Sequence, residues 1–221
     1  MSLVLGADGC RGGGWVIGLL DAEDELHWEW AADTAGLLAV AEEYAADAVA
    51  LDVPIGLPAL GAVRQCDVLA RRRLGGRASS VFAAPPREVL ACATYAEARA
   101  VAPSLSAQTF GLVPRIREVD AALRELGPAA HDRFLEAHPE TAFAALAPGL
   151  AQKKTARGAL QRLALIRERA EVPVDVPPGA ALDDALDALA ITFVARRWAD
   201  GIAEVLGGEL DRMGLPMRIV V

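Results

Sequence analysis

Leu3-Val4-Leu5-Gly6-Ala7-Asp8 is a short apolar run that ends in an acid, and Ala48-Val49-Ala50-Leu51-Asp52 repeats the pattern before Pro54 stops it. Continuous apolar runs of this length read as strands buried on both faces, the kind that lie parallel at the centre of an α/β sheet. Between them, Trp15 to Leu20 is a second strand-like run, entered through Gly12, Gly13 and Gly14. Leu26 to Ala31 alternates, with Leu26, Trp28 and Trp30 on one side and His27 and Glu29 on the other. Acidic residues from Asp21 to Glu25 separate these two runs, as a hairpin requires. A helix is predicted from a cap at Asp33 or Thr34 through Tyr44, with Leu37, Leu38, Val40 and Ala41 on its buried face.

Three antiparallel strands, a helix and a parallel strand make up the ribonuclease-H order. The expected fold class is therefore α/β, a ribonuclease-H-like mixed five-stranded sheet with flanking helices. Residues 60–130 exceed that minimal plan and read as a helical insertion interrupted by a Gly/Ser/Pro-rich loop, within one domain spanning 1–221. Arg133 to His138 reads as the fifth strand, and Pro139 opens a helix at its favoured first position. A basic helix is predicted over Thr155 to Arg169, and a strongly amphipathic one over Ala180 to Ala199. Pro216 leads into a terminal strand, Met217 to Val221.

No apolar run is long enough to cross a bilayer, and no basic-then-apolar leader precedes the first strand. Three scattered cysteines, Cys10, Cys66 and Cys92, argue against a disulfide framework or a structural zinc, so the expected compartment is the cytoplasm. The net charge of −8 is unfavourable for bulk attraction to nucleic acid. Its distribution is uneven: residues 1–63 carry one basic and eleven acidic side chains, whereas residues 64–175 carry seventeen basic and twelve acidic. That split suits metal ions at one place and phosphate at another.

Asp8 and Asp52 end two central strands, at the sheet edge where α/β proteins keep their sites. Asp184 and Asp187 stand three apart on the late helix and so share a face, beside a packing stripe of Leu182, Ala185, Leu186, Leu189 and Phe193. Four converging carboxylates repel one another in a partly buried setting, and a divalent cation removes that cost. Hard oxygen ligands select Mg²⁺ or Mn²⁺. The expected roles are Asp8 bridging two ions, Asp52 holding one and orienting water, and Asp184 with Asp187 completing the coordination. Asp183 answers better to the helix dipole than to a metal. Glu140 joins the catalytic candidates. Either Glu136 or Glu140 is a candidate further ligand, and His138 a candidate proton shuttle or substrate contact, against simple roles in capping and packing. Arg11, Arg77, Ser79, Ser80 and Arg87 form the candidate phosphate-contact set, because arginine forks suit bidentate phosphate binding. Lys153, Lys154 and Arg157, at the start of the basic helix, read first as solvated charge.

Several stretches together resemble one family. They are Gly6-Ala7-Asp8-Gly9-Cys10-Arg11-Gly12-Gly13, Asp52-Val53-Pro54-Ile55-Gly56, the loop from Arg77 to Arg87, and Glu136-Ala137-His138-Pro139-Glu140. The family is domain of unknown function 429, described as predicted RNase H-like nucleases. Asp184-Ala185-Leu186-Asp187 is also similar to the late-helix aspartate pair of the Holliday-junction resolvases. The resemblance implies the fold and points to a metal-dependent nuclease that cleaves phosphodiester bonds in DNA or RNA. Two alternatives keep the fold: a phosphohydrolase or phosphotransferase acting on a small phosphorylated substrate, and a non-catalytic binding module for nucleic acid or protein.

Overall fold

The computed structural model describes residues 2–221, and the chain forms two compact units. The first runs up to Asp52, resumes over Asp132–Glu204 and closes with Val220–Val221. It contains β1 (Val4–Gly9), β2 (Trp15–Leu20), β3 (Leu26–Ala31), β4 (Ala48–Leu51) and β5 (Phe134–Glu136) in one five-stranded sheet of order β3-β2-β1-β4-β5. β2 is antiparallel to β1 and β3, and β4 is parallel to β1 and β5. This is the mixed sheet expected of a ribonuclease-H-like α/β fold. β1 and β4 are buried through their apolar runs, which is why those runs do not alternate.

Helix α1 (Thr34–Glu43) is capped by Asp33, whose carboxylate accepts from the Gly36 N–H at 2.8 Å. Three more helices of this unit follow the fifth strand: α5 (Pro139–Leu146), α6 (Ala156–Arg167) and α7 (Leu182–Ala199). α7 packs on β1, β2 and β4, while α5 and α6 pack against α7. The expected amphipathic stripe is too narrow a description of α7. Every residue from Ala185 to Thr192 is buried, and Leu182 is exposed. A helix buried on all sides through its middle is a core helix. Two strand glycines let it sit this deep. A Cβ on Gly6 would lie 2.3 Å from the Thr192 nitrogen, and one on Gly18 would lie 2.8 Å from a Leu189 methyl. The Thr192 hydroxyl lies 3.1 Å from the Gly18 carbonyl, across that contact.

The second unit comprises Val53–His131 and Val205–Ile219. It holds α2 (Gln65–Leu74), α3 (Tyr95–Val101) and α4 (Ala107–Leu126), with β6 (Val205–Leu210) and β7 (Pro216–Val220) paired in a two-stranded sheet. Sequence patterning marks only the second of these strands. β6 carries Gly207 and Gly208 where a strand normally places β-branched residues. The glycine is needed: Gly207 has φ +80°, and a Cβ there would lie 2.9 Å from the Cys66 side chain. Among the described residues, no helix is long and apolar enough to cross a membrane.

Candidate metal centre

Asp8 is the penultimate residue of β1, and its Oδ1 accepts from the Gly9 N–H at 2.8 Å. Asp52 follows β4 directly, and its N–H donates to the Ala7 carbonyl at 3.1 Å. The parallel pairing of Ala7 with Leu51 thus sets the two acids side by side at one end of adjacent strands. α7 brings Asp184 and Asp187 to the same place. Asp184 spends part of its carboxylate on its own helix, accepting from the Ala181 N–H at 3.2 Å. Asp187 is only 2% exposed.

Charge links Asp8 to the other three aspartates. Asp8 is held well above the usual carboxylate range, first by burial and then by the negative charges of Asp52, Asp187 and Asp184, with Lys153 opposing. Asp187 is pushed up to about 6 by burial, against the pull of Lys153 and with the help of Asp52 and Glu140. Cys10 packs against Val16 and Ala188, and its thiol is raised to about 11 by burial and by Asp184 and Asp8. A thiol in that state is a reporter of the acidic field and a poor nucleophile.

Asp187 also tests whether a cation suits this centre. Its Oδ2 accepts from Lys153 Nζ at 2.5 Å, whereas its Oδ1 is buried and has no hydrogen-bond partner. A buried carboxylate oxygen without a donor is costly, and a hard divalent cation would remove that cost. The four aspartates are not drawn into a tight shell. Among the described residues, the one trio whose ligand atoms all lie within 4.8 Å of one another is Asp21, Glu25 and His27, away from this centre at the turn between β2 and β3. Mg²⁺ commonly uses one or two carboxylates, with water completing its shell. The residues therefore fit such an ion without a closed cage.

The sequence model of a family described as a protein of unknown function, DUF429, matches residues 6–212. The chain belongs to the DUF429 family. No curated protein and no solved structure matches it.

The remaining candidates of this DUF429 protein divide sharply. Glu140, 5% exposed, forms a buried ion pair with Arg162 at 2.6 Å, and Arg162 stacks over the Phe143 ring at 5.1 Å. That pairing engages one oxygen of Glu140, whose charge still bears on Asp187. Glu136 is buried on β5, and His138 is the residue preceding α5, its carbonyl accepting from the Thr141 hydroxyl. Arg11 is exposed just beyond β1 and lines a cleft of about 370 Å³ with Lys153, Lys154, Thr155, Asp183 and Asp187.

Arg77, Ser79, Ser80 and Arg87 belong to the second unit. Arg77 to Ser80 form a tight 3-10 turn in which the Ser80 hydroxyl donates to the Arg77 carbonyl. Arg87 does not present a free fork. Its guanidinium donates to Asp120 at 2.6 and 3.0 Å and to Asp211 at 2.5 Å. The main residue that sequence reading overlooks is Lys153. Its position before the Thr155 cap of α6 looks like solvated charge, yet its ammonium joins the acidic centre. The available signal was the unbalanced charge of four aspartates, which calls for a nearby cation.

Proposed function

We propose that this DUF429 protein is a divalent-metal-dependent hydrolase that cleaves phosphodiester bonds in DNA or RNA. The observation that carries the reading is Asp187, a buried carboxylate with one donorless oxygen among three further aspartates. Buried acids that burial and mutual repulsion drive toward protonation are typical of sites that take a cation or a proton during work. Mg²⁺ or Mn²⁺ held by Asp8, Asp52, Asp184 and Asp187 would supply activated water and offset charge on the phosphoryl oxygens.

The chain's own groups then have definite tasks. Asp8 and Asp52 are fixed by the strand pairing, so their spacing needs no reorganisation. The cleft bordered by Arg11 and Lys154 opens onto Asp187 and offers two cations to a phosphate approaching the acids. Cytoplasmic residence fits three buried cysteines that form no disulfide.

A second reading has its own support. The first unit carries ten basic and twenty-two acidic side chains, and a cleft of about 370 Å³ is the size of a small-molecule site. Both favour a small phosphorylated substrate over a long nucleic acid on that face. One screen separates the readings: branched, single-stranded and duplex DNA and RNA beside small phosphodiesters and phosphomonoesters, all with Mn²⁺. Asp8→Asn should lower the rate about 10³-fold, the loss of roughly 4 kcal/mol expected of a metal ligand. If no Mn²⁺-dependent hydrolysis sensitive to Asp8→Asn is found on any substrate, the enzyme reading fails and the binding-module alternative stands.

A further inference from the structure

We propose that Lys153 is a resident cation of the acidic centre, held there by α6, so that the centre takes one divalent ion per chain instead of two. The inference rests on the metal-dependent reading above and changes its stoichiometry.

The lysine is placed by its backbone. Ala151 and Gln152, just before it, are fastened to α6 at several points. The Ala151 N–H donates to the Gln161 side chain at 2.9 Å, and the Ala151 carbonyl accepts from Arg162 at 2.9 Å. The Gln152 carbonyl accepts from the Thr155 hydroxyl at 2.8 Å. Gly158 completes the seat, since a Cβ there would lie 2.0 Å from the Gln152 oxygen. A lysine on a loose surface loop would hold its partner only weakly. Here the segment is set before the side chain reaches inward, and the Lys153 side chain is about one-third exposed against a fully buried acid.

The two oxygens of Asp187 supply the count, and charge is compatible with it. Glu140 is already matched by Arg162, which leaves Asp8, Asp52, Asp184 and Asp187 to be neutralised. With Lys153 and one divalent ion, the four carboxylates retain a single negative charge, close to balance. A second divalent ion would bring the cluster no nearer neutrality, at one positive charge, and would crowd the ammonium on Asp187. That carboxylate has one oxygen on Lys153 and the other without a donor. The arrangement fits one lysine and one ion sharing a carboxylate. Lys153 is a positioning residue on this reading, holding Asp187 in orientation while contributing positive charge to the site.

Two measurements test it on the intact chain. Titration calorimetry with Mn²⁺ alone, on chains carrying Asp21→Asn to silence the Asp21, Glu25 and His27 trio, should give one ion with the Lys153 of the wild type, one for Lys153→Arg and two for Lys153→Met. Two ions with Lys153 in place, or one ion at unchanged affinity in Lys153→Met, would overturn the inference and leave the metal reading standing. No Mn²⁺ binding with Lys153 in place would overturn both.

The second measurement needs no variant, because Lys153 and Lys154 are the chain's two lysines. Under limiting acetylation read by mass spectrometry, Lys153 should react at least about tenfold more slowly than the exposed Lys154, because its ammonium is held in an ion pair. Saturating Mn²⁺ should leave that protection in place. If Mn²⁺ raises Lys153 to the reactivity of Lys154, the ion displaces the lysine, and the resident-cation inference is wrong.

Discussion

Each unit buries aspartates to a similar depth and treats them in opposite ways. In the second unit, Asp211 accepts from the Leu57, Met213 and Leu215 N–H groups and from Arg87, and these donors outweigh burial to hold its carboxyl below the usual range. Asp67 in the same unit is met by Arg64 and by the Ala84 N–H. In the first unit, Asp8 and Asp187 are buried just as deeply, yet their neighbours are mostly other carboxylates and their acidity falls. Depth of burial therefore does not decide whether a buried aspartate is made more or less acidic. The ratio of donors to acids around it does. In the second unit Asp67 and Asp211 are met by donors, whereas in the first unit Asp187 keeps one buried oxygen with no hydrogen-bond partner.

The sharpest break of this contrast would come from stability. Arg87→Met removes the cation shared by Asp120 and Asp211, and loss of one partner from a buried ionic network costs about 3–5 kcal/mol. Urea unfolding should show that loss. An Arg87→Met protein as stable as the wild type would mean that the second unit's acids are not held by their donors.

The converse holds for pH. Asp187 in the folded protein keeps its proton up to about 6, whereas an unfolded aspartate releases it near 3.8. Between those values the folded state binds more protons, so metal-free stability falls as pH rises through the window and stays lower above it. The expected loss is on the order of 3 kcal/mol. Asp8→Asn should flatten the slope and raise the metal-free melting temperature at neutral pH, and Mn²⁺ should raise that of the wild type. A melting temperature that climbs from pH 4 to 7 without metal would contradict the assignment.

The smallest effect concerns the surface turn of the second unit. Arg77→Glu should change stability by no more than about 0.5 kcal/mol. If nucleic acid is the substrate and Arg77 a phosphate contact, the same change should weaken binding across sequences and lower the salt slope by about one. Unchanged affinity at low salt would leave Arg77 a turn residue.

What was legible in the sequence is what depends on neighbours along the chain. β1 and β4 announce themselves because each is an unbroken apolar run closed by an acid, and Asp33 is a cap readable from its first turn. The aspartate pair on α7 follows from helical spacing. What escaped depends on remote partners. Arg87 looks like a phosphate fork until Asp120, 33 positions away, and Asp211, 124 positions away, are seen to fill it. Lys153 escaped because its acid lies 34 positions further on. β6 escaped because the glycine that admits α2 removes the pattern by which strands are read.

The contact of Gly6 and Gly18 with α7 fixes more than packing. At Gly6 the two elements meet backbone to backbone, where no rotamer can absorb an error, so the strand bearing Asp8 and the helix bearing Asp187 behave like two machined faces bolted together. A deep mutational scan should then show its strictest position at Gly6, with Gly18 next because a Leu189 methyl can partly give way there, although neither glycine has a side chain or takes part in the chemistry. Larger core residues such as Leu5 and Ile17 should accept apolar exchanges that these glycines refuse. In this molecule, intolerance to mutation would trace the spacing between the acids as faithfully as it traces the acids themselves.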